Sequence, residues 1–207
     1  MKTLFLILIF TFLCSGCASF KKFGYEGFNR DKWQHPDKVI ESLKISPGDY
    51  VTDLGAGGGY FTFKFADVVG DNGKVFAVDV DEDMTEFLRA EAVKQGFAKV
   101  EVILGEFGDP LLPDSVSNII FMCNTYHHIQ GRVDYFSRLK ADLQSEGRVA
   151  VVELRPGGWI GRLFGSHWTK KEAIISEMEA AGYSLIADHD YLPKQHFVVF
   201  SMMREIP

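Results

Sequence analysis

The stretch from Tyr50 to Ala66, YVTDLGAGGGYFTFKFA, decides the reading of this chain. Tyr50, Val51 and Leu54 give an apolar strand signal that runs straight into a cluster of glycines. Phe61, Phe65, Val68 and Val69 then recur at i, i+4, i+7 and i+8, the period of a helix with one buried face. Strand, glycine turn and helix together make a nucleotide-site layout. Glycine lets the backbone turn tightly and lets a ligand approach with no Cβ in the way.

The spacing discriminates between ligands. A dinucleotide fingerprint needs G-x-G-x-x-G; Gly55 and Gly57 fit it, but Tyr60 holds the third position. A phosphate loop needs Lys-Ser or Lys-Thr after its last glycine, and neither follows. The chain instead carries acid-x-Gly-x-Gly-x-Gly, as Asp53, Gly55, Gly57 and Gly59. The next strand signal, in GKVFAVDVDEDM, ends on Asp79. Its distance from Gly55 is close to the roughly 20 residues that separate turn and ribose acid in related folds. This set resembles motif I, and the acid that follows it, of the class I S-adenosylmethionine (SAM) dependent methyltransferases.

The resemblance extends over roughly residues 25 to 203 and is nearest to the ubiquinone/menaquinone-biosynthesis-like group. It is carried by Arg30-Asp31-x-Trp33-Gln34-x-Pro36, by GKVFAVDVDEDM, and by LPDSVSNIIFMCNTYHHI. It implies SAM as cofactor, with Asp53, Gly55, Gly57 and Gly59 in the turn and Asp79 and Val80 at the ribose. Glu106, Phe107 and Asn124 would complete the cofactor site. Two departures stand out: Asn118 replaces the usual Asp before the fourth strand, and Glu106-Phe107 shifts the adenine-contacting acid. Tyr25, Arg30, Trp33 and Tyr126 are the candidate acceptor contacts. His127 and His128 are the candidate proton acceptors, since they follow the fourth strand and histidine titrates near neutral pH. Of the two, His127 is favoured, with His128 supporting the loop. Glu153 and Arg155 read either as a structural ion pair or as substrate contacts.

Further strands are read at Lys99–Leu104, Ser117–Cys123 and Arg148–Leu154. Helices are read after Asp79 and after Gly131. A last helix starts at a Thr169–Glu172 capping box. Tyr183–Tyr191 and His196–Met203 read as a hairpin, with His189 and His196 at its surface. Alternating strands and helices predict an α/β fold with helices on both faces of the sheet. The resemblance implies a Rossmann-like, doubly wound, seven-stranded sheet, mostly parallel, closed by a C-terminal antiparallel hairpin.

The N-terminus is of another kind. Lys2 precedes an apolar run from Leu4 to Leu13, too short to span a bilayer, which takes about 20 residues. Followed by Cys14-Ser15-Gly16-Cys17, it reads as a signal peptide over residues 1–16, resembling a bacterial lipoprotein box with Cys17 as the lipid acceptor. Residues 17–32 read as a linker and cap, and 33–207 as the methyltransferase domain. Export and membrane attachment at the cell envelope are the expectation, or a cytoplasmic site if the segment is an uncleaved tail. A length of 207 residues suits one domain. Net charge of -6 argues against a nucleic-acid partner. The three cysteines show no zinc spacing, and Cys123, in an apolar strand pattern, reads as a small buried hydrophobe. No metal is expected.

The leading functional reading is methyl transfer from SAM to a small-molecule acceptor. One alternative is a non-catalytic SAM-fold module anchored at a membrane. The other is a protein methyltransferase, against which Asn124-Thr125-Tyr126-His127 stands in place of the Asn-Pro-Pro-Tyr type of motif.

Overall fold

A computed structural model describes residues 29–155 and 168–203. The expected signal peptide, Cys17, Tyr25, the Gly-rich stretch Pro156–Ser166 and His167 lie outside the described residues. Two short helices come first, α1 (Arg30–Gln34) and α2 (Pro36–Leu43). They part at His35, whose φ is 45°. Pro36 causes the break: its ring disfavours helical backbone at the residue before it.

β1 (Tyr50–Leu54) leads through the glycine turn into α3 (Thr62–Val68), then β2 (Lys74–Asp79) and α4 (Glu82–Gln95). The Asp81 side chain caps α4 by accepting from the Met84 N–H. β3 (Val100–Leu104) and β4 (Ser117–Cys123) follow, then a short turn of 3-10 helix at Tyr126–His128 and α5 (Arg132–Leu139). β5 (Leu143–Leu154), α6 (Lys171–Ala180), β6 (Tyr183–His189) and β7 (Gln195–Met202) complete the order.

The seven strands form one sheet in the order β3-β2-β1-β4-β5-β7-β6. Pairings from β3 to β5 are parallel; β7 runs antiparallel to both β5 and β6. The expected fold class is therefore the observed one. β1 lies between β2 and β4, so the strand order reverses at its carboxyl end, where open α/β sheets bind ligands.

Alternation along the strands sorts the core into two layers. Ile120 and Met122 of β4 face one layer with Phe136, Leu139, Ile174 and Met178 from α5 and α6. Ile119 and Phe121 face the other, with Val39 and Leu43 of α2, and with Phe61 and Phe65. A strand covered on both faces is a continuous apolar run, which is why SNIIFMC is legible as β4. At the far edge the β6–β7 pairing skips Ile186, so that Leu185 meets Phe200 and Ala187 meets Val199.

Three features differ from the sequence reading. β5 begins at Leu143 and not at Arg148, so Gly147 lies within the strand instead of closing the preceding helix. α6 begins at Lys171 with no side-chain cap, and the Thr169–Glu172 capping box does not form. Glu172 still adds an acid to the first turn, where the helix dipole favours it. His189 and His196 are half-buried, with the His189 ring centroid 4.6 Å from that of Phe197.

Phe121 is fully buried, its ring centroid 4.6 Å from that of Phe61 and 5.0 Å from that of Phe65. Phe121→Ala should cost about 3–5 kcal/mol of stability, read as a fall in the urea midpoint.

Candidate functional site

The glycine turn is held by the carboxyl end of β2. The Gly55 and Ala56 N–H groups donate to the Val78 carbonyl at 2.8 and 3.0 Å. The Gly57 N–H donates to Asp79 Oδ2 at 2.7 Å. The other Asp79 oxygen accepts from the Asp81 N–H at 3.0 Å. Gly55 has φ 79°, and a Cβ there would stand 2.2 Å from Thr125 Oγ1. Only glycine meets both conditions, the left-handed backbone and the close approach of the loop after β4.

This turn forms one wall of a cavity of about 720 Å³. Asp53, Gly55, Gly57, Asp79, Val80, Glu106, Phe107, Asn124, Arg30 and His128 of the predicted set all line it. Gly59 does not; it shapes the turn behind the wall, packed near Phe63 and Leu88. Glu106 and Phe107 sit in an exposed loop closed by a bridge between Glu106 and Asp109.

Asp53 lies deep in the cavity, 3% exposed, and its Oδ2 accepts from the Thr62 hydroxyl at 2.7 Å. Burial pushes its pKa up to about 6, against the opposing pull of the Thr62 hydrogen bond and the Arg30 charge. The Arg30 guanidinium lies 3.9 Å from the centroid of the Tyr60 ring. The Tyr60 hydroxyl in turn donates to Asp31, and burial together with that bond holds its pKa well above the usual tyrosine value.

The two histidines are split between two surfaces. His128 is exposed on the cavity wall. His127, 4.0 Å away between ring centroids, does not line that cavity and borders a second one of about 550 Å³. Its Nδ1 is 2.9 Å from Oε1 of Glu153, which is fully buried. Glu153 also accepts from the backbone N–H of His127 and that of Leu154, at 3.3 and 3.0 Å. Glu153 therefore pairs with His127, while Arg155 Nε donates to the Gln195 carbonyl at 2.9 Å.

Two candidate acceptor contacts stand elsewhere. Tyr126 is fully buried, its ring 5.3 Å from that of Phe136 and its hydroxyl donating to Glu177 at 2.7 Å. Arg132 also clamps Glu177, at 2.6 and 2.9 Å. Trp33 is half-buried and lies against Lys194, away from the cavity. Cys123 packs partly buried against the core as expected, and it also lines the cavity, where its Sγ accepts N–H groups. Sequence reasoning missed Gln34 and Gln195, which supply two of those donors. Both stand in polar stretches, DKWQHPDK and PKQH, so no local signal marks either one.

The cavity fits SAM by its chemistry. Asp79 keeps acceptor capacity beyond its two backbone bonds, as a ribose diol requires, since an ionised carboxylate has about four lone-pair sites. Val80, Phe107 and Pro110 offer apolar surface to a base. Asp53 offers a carboxylate to the ammonium of an amino-acid zwitterion.

A family model described as a methyltransferase domain matches residues 45–192. The chain is 38% identical over 113 residues to an arsenite methyltransferase of Halobacterium salinarum, covering 53% of this chain and 28% of the relative. It is 29% identical over 116 residues to the ubiquinone/menaquinone biosynthesis C-methyltransferase of Teredinibacter turnerae, covering 56% and 47%. It is 30% identical over 122 residues to a protein-L-isoaspartate O-methyltransferase of Aeropyrum pernix, covering 58% and 40%. The chain thus spans between about a quarter and a half of the length of these relatives. In fold it is similar to a SAM dependent methyltransferase from Aquifex aeolicus, with a TM-score of 0.81, 24% identity, and coverage of 88% of this chain and 97% of that one.

The raised pKa of Asp53 sets a pH dependence of stability. The folded chain binds a proton more tightly than the unfolded chain, so Asp53's contribution falls as pH rises from about 4 to about 6. Asp53→Asn should then be more stable than wild type at pH 7.5, by about 1–3 kcal/mol in urea unfolding. The gain should vanish at pH 4.

Proposed function

This chain belongs to the methyltransferase domain family, and we propose that it transfers a methyl group from SAM to a small-molecule acceptor. The observation that carries the reading is the Asp79 carboxylate closing the glycine turn at the mouth of a cavity of about 720 Å³, a size suited to small molecules. SAM supplies a methyl group already activated by its sulfonium charge. The protein's task is then to orient the acceptor in line with that methyl, and orientation alone can supply several kcal/mol.

An acceptor that carries a proton must lose it. His128, exposed on the cavity wall, is the group we assign to receive it. His127 supports the loop from behind, its ring fixed by Glu153. This reverses the order favoured on sequence alone, and what supports it is that His127 does not line the cavity. The similarity to a protein-L-isoaspartate O-methyltransferase supports a second reading, in which the acceptor is a peptide carboxylate.

Calorimetry with SAM and its demethylated product tests cofactor binding. Radiolabelled SAM offered with arsenite, a phenol and an isoaspartyl peptide then separates the acceptor classes. Absence of SAM binding would sink the methyltransferase reading. Asp79→Ala should weaken SAM binding about tenfold or more, the effect of removing charge-assisted hydrogen bonds. With the acceptor in hand, His128→Ala should lower kcat about a hundredfold while the SAM Kd stays within about twofold. A loss below about tenfold would leave His128 a positioning group.

A further inference from the structure

Behind the cavity wall two glutamines, Gln34 at the end of α1 and Gln195 at the start of β7, are both fully buried. They are 161 residues apart in the chain and meet side chain to side chain. Gln34 Nε2 donates to Gln195 Oε1 at 2.9 Å and to Cys123 Sγ at 2.8 Å. Gln195 Nε2 donates to Asn124 Oδ1 at 2.8 Å and to Cys123 Sγ at 3.5 Å. Arg30 Nε donates to Gln34 Oε1, and Arg30 Nη2 lies 3.6 Å from the same sulfur.

We propose that Gln34 and Gln195 are positioning residues that hold Arg30, Cys123 and Asn124 as the acceptor side of the cavity. All three held residues line it, and neither glutamine does. The term acceptor side rests on the methyl-transfer reading. The groups suited to SAM's ribose, Gly57 and Asp79, come from the ends of β1 and β2, whereas these three come from α1 and the end of β4.

Stability alone is a poor account of the amide pair. Buried amides need every donor satisfied, and here two of the four N–H groups are spent on a thiol, a weak acceptor. An apolar pair of similar volume would fill the same space without that demand. What the amides add is direction. Asn124 has φ 56°, a left-handed backbone at the end of β4, and the Gln195 bond fixes its side chain there. Gln34 ties Arg30 to the sulfur, so α1 is locked to β4 through side chains alone.

The test uses the full chain with Gln34→Met and Gln195→Met, substitutions close in length. Iodoacetamide labelling of Cys123, followed by peptide mass, is measured against pH, beside SAM calorimetry and thermal unfolding. N–H donors favour a thiolate, so each variant should move the labelling midpoint upward by about 0.5–1 pH unit. The double variant should shift less than the sum of the two, because the amides act as one unit. The SAM Kd should stay within about threefold. An unmoved labelling midpoint, or a SAM affinity that falls in step with the unfolding temperature, would overturn the proposal. If Gln34→Met fails to fold, Gln195→Met reports on the same sulfur. Wild-type protein that does not bind SAM would defeat the methyltransferase reading, and the labelling profile would still judge the amide pair.

Discussion

One hydrogen bond ties the site to the sheet: the Asp79 carboxylate, at the end of β2, accepts the Gly57 N–H from the turn after β1. Two parallel strands end side by side, and the last residue of one fixes the loop of the other. The turn's shape then follows from the sheet and needs no ligand to define it. Thr125, from the loop after β4, presses on the turn from the opposite side, where any Cβ on Gly55 would stand. Three strand ends thus converge on one loop of glycines. That is how a cofactor site can be rigid although it is built from connecting segments.

Asp53 shows what the arrangement costs. A carboxylate that burial holds near a pKa of about 6 opposes folding at neutral pH. Its partners, the Thr62 hydroxyl and the Arg30 charge, offset only part of that penalty. A cationic group bound beside it would supply the rest. Binding sites often carry such a deficit, since a site already satisfied in the free protein has little left to give a ligand.

Much of this was legible in the sequence, because local signals and tertiary structure agree. β4 is an apolar run covered on both faces, and Asp79 ends its strand where the spacing from Gly55 demands an acid. The misses share a physical cause, contact between residues far apart in the chain. Gln144, Ser145 and Glu146 carry no strand pattern, yet Leu143 pairs with Ser117, so β5 starts early. Tyr126 reads as a loop residue facing a site, but Glu177, 51 residues on, takes its hydroxyl into the core. Gln34 and Gln195 find each other across 161 residues, and nothing local to either announces the pair.

The skipped pairing at Ile186 has a consequence for how copies of the sheet meet. β6 is an edge strand, and an edge offers unpaired backbone groups to any extended chain. With one residue too many opposite β7, the outer ladder of β6 loses its even spacing, and the strand bends and twists more strongly there. Lys171 and Asp188 add an ion pair at 2.6 Å close by. A second sheet sliding alongside would find a broken template guarded by charge. The irregularity therefore makes this edge a poorer template for edge-to-edge pairing than a regular strand would be.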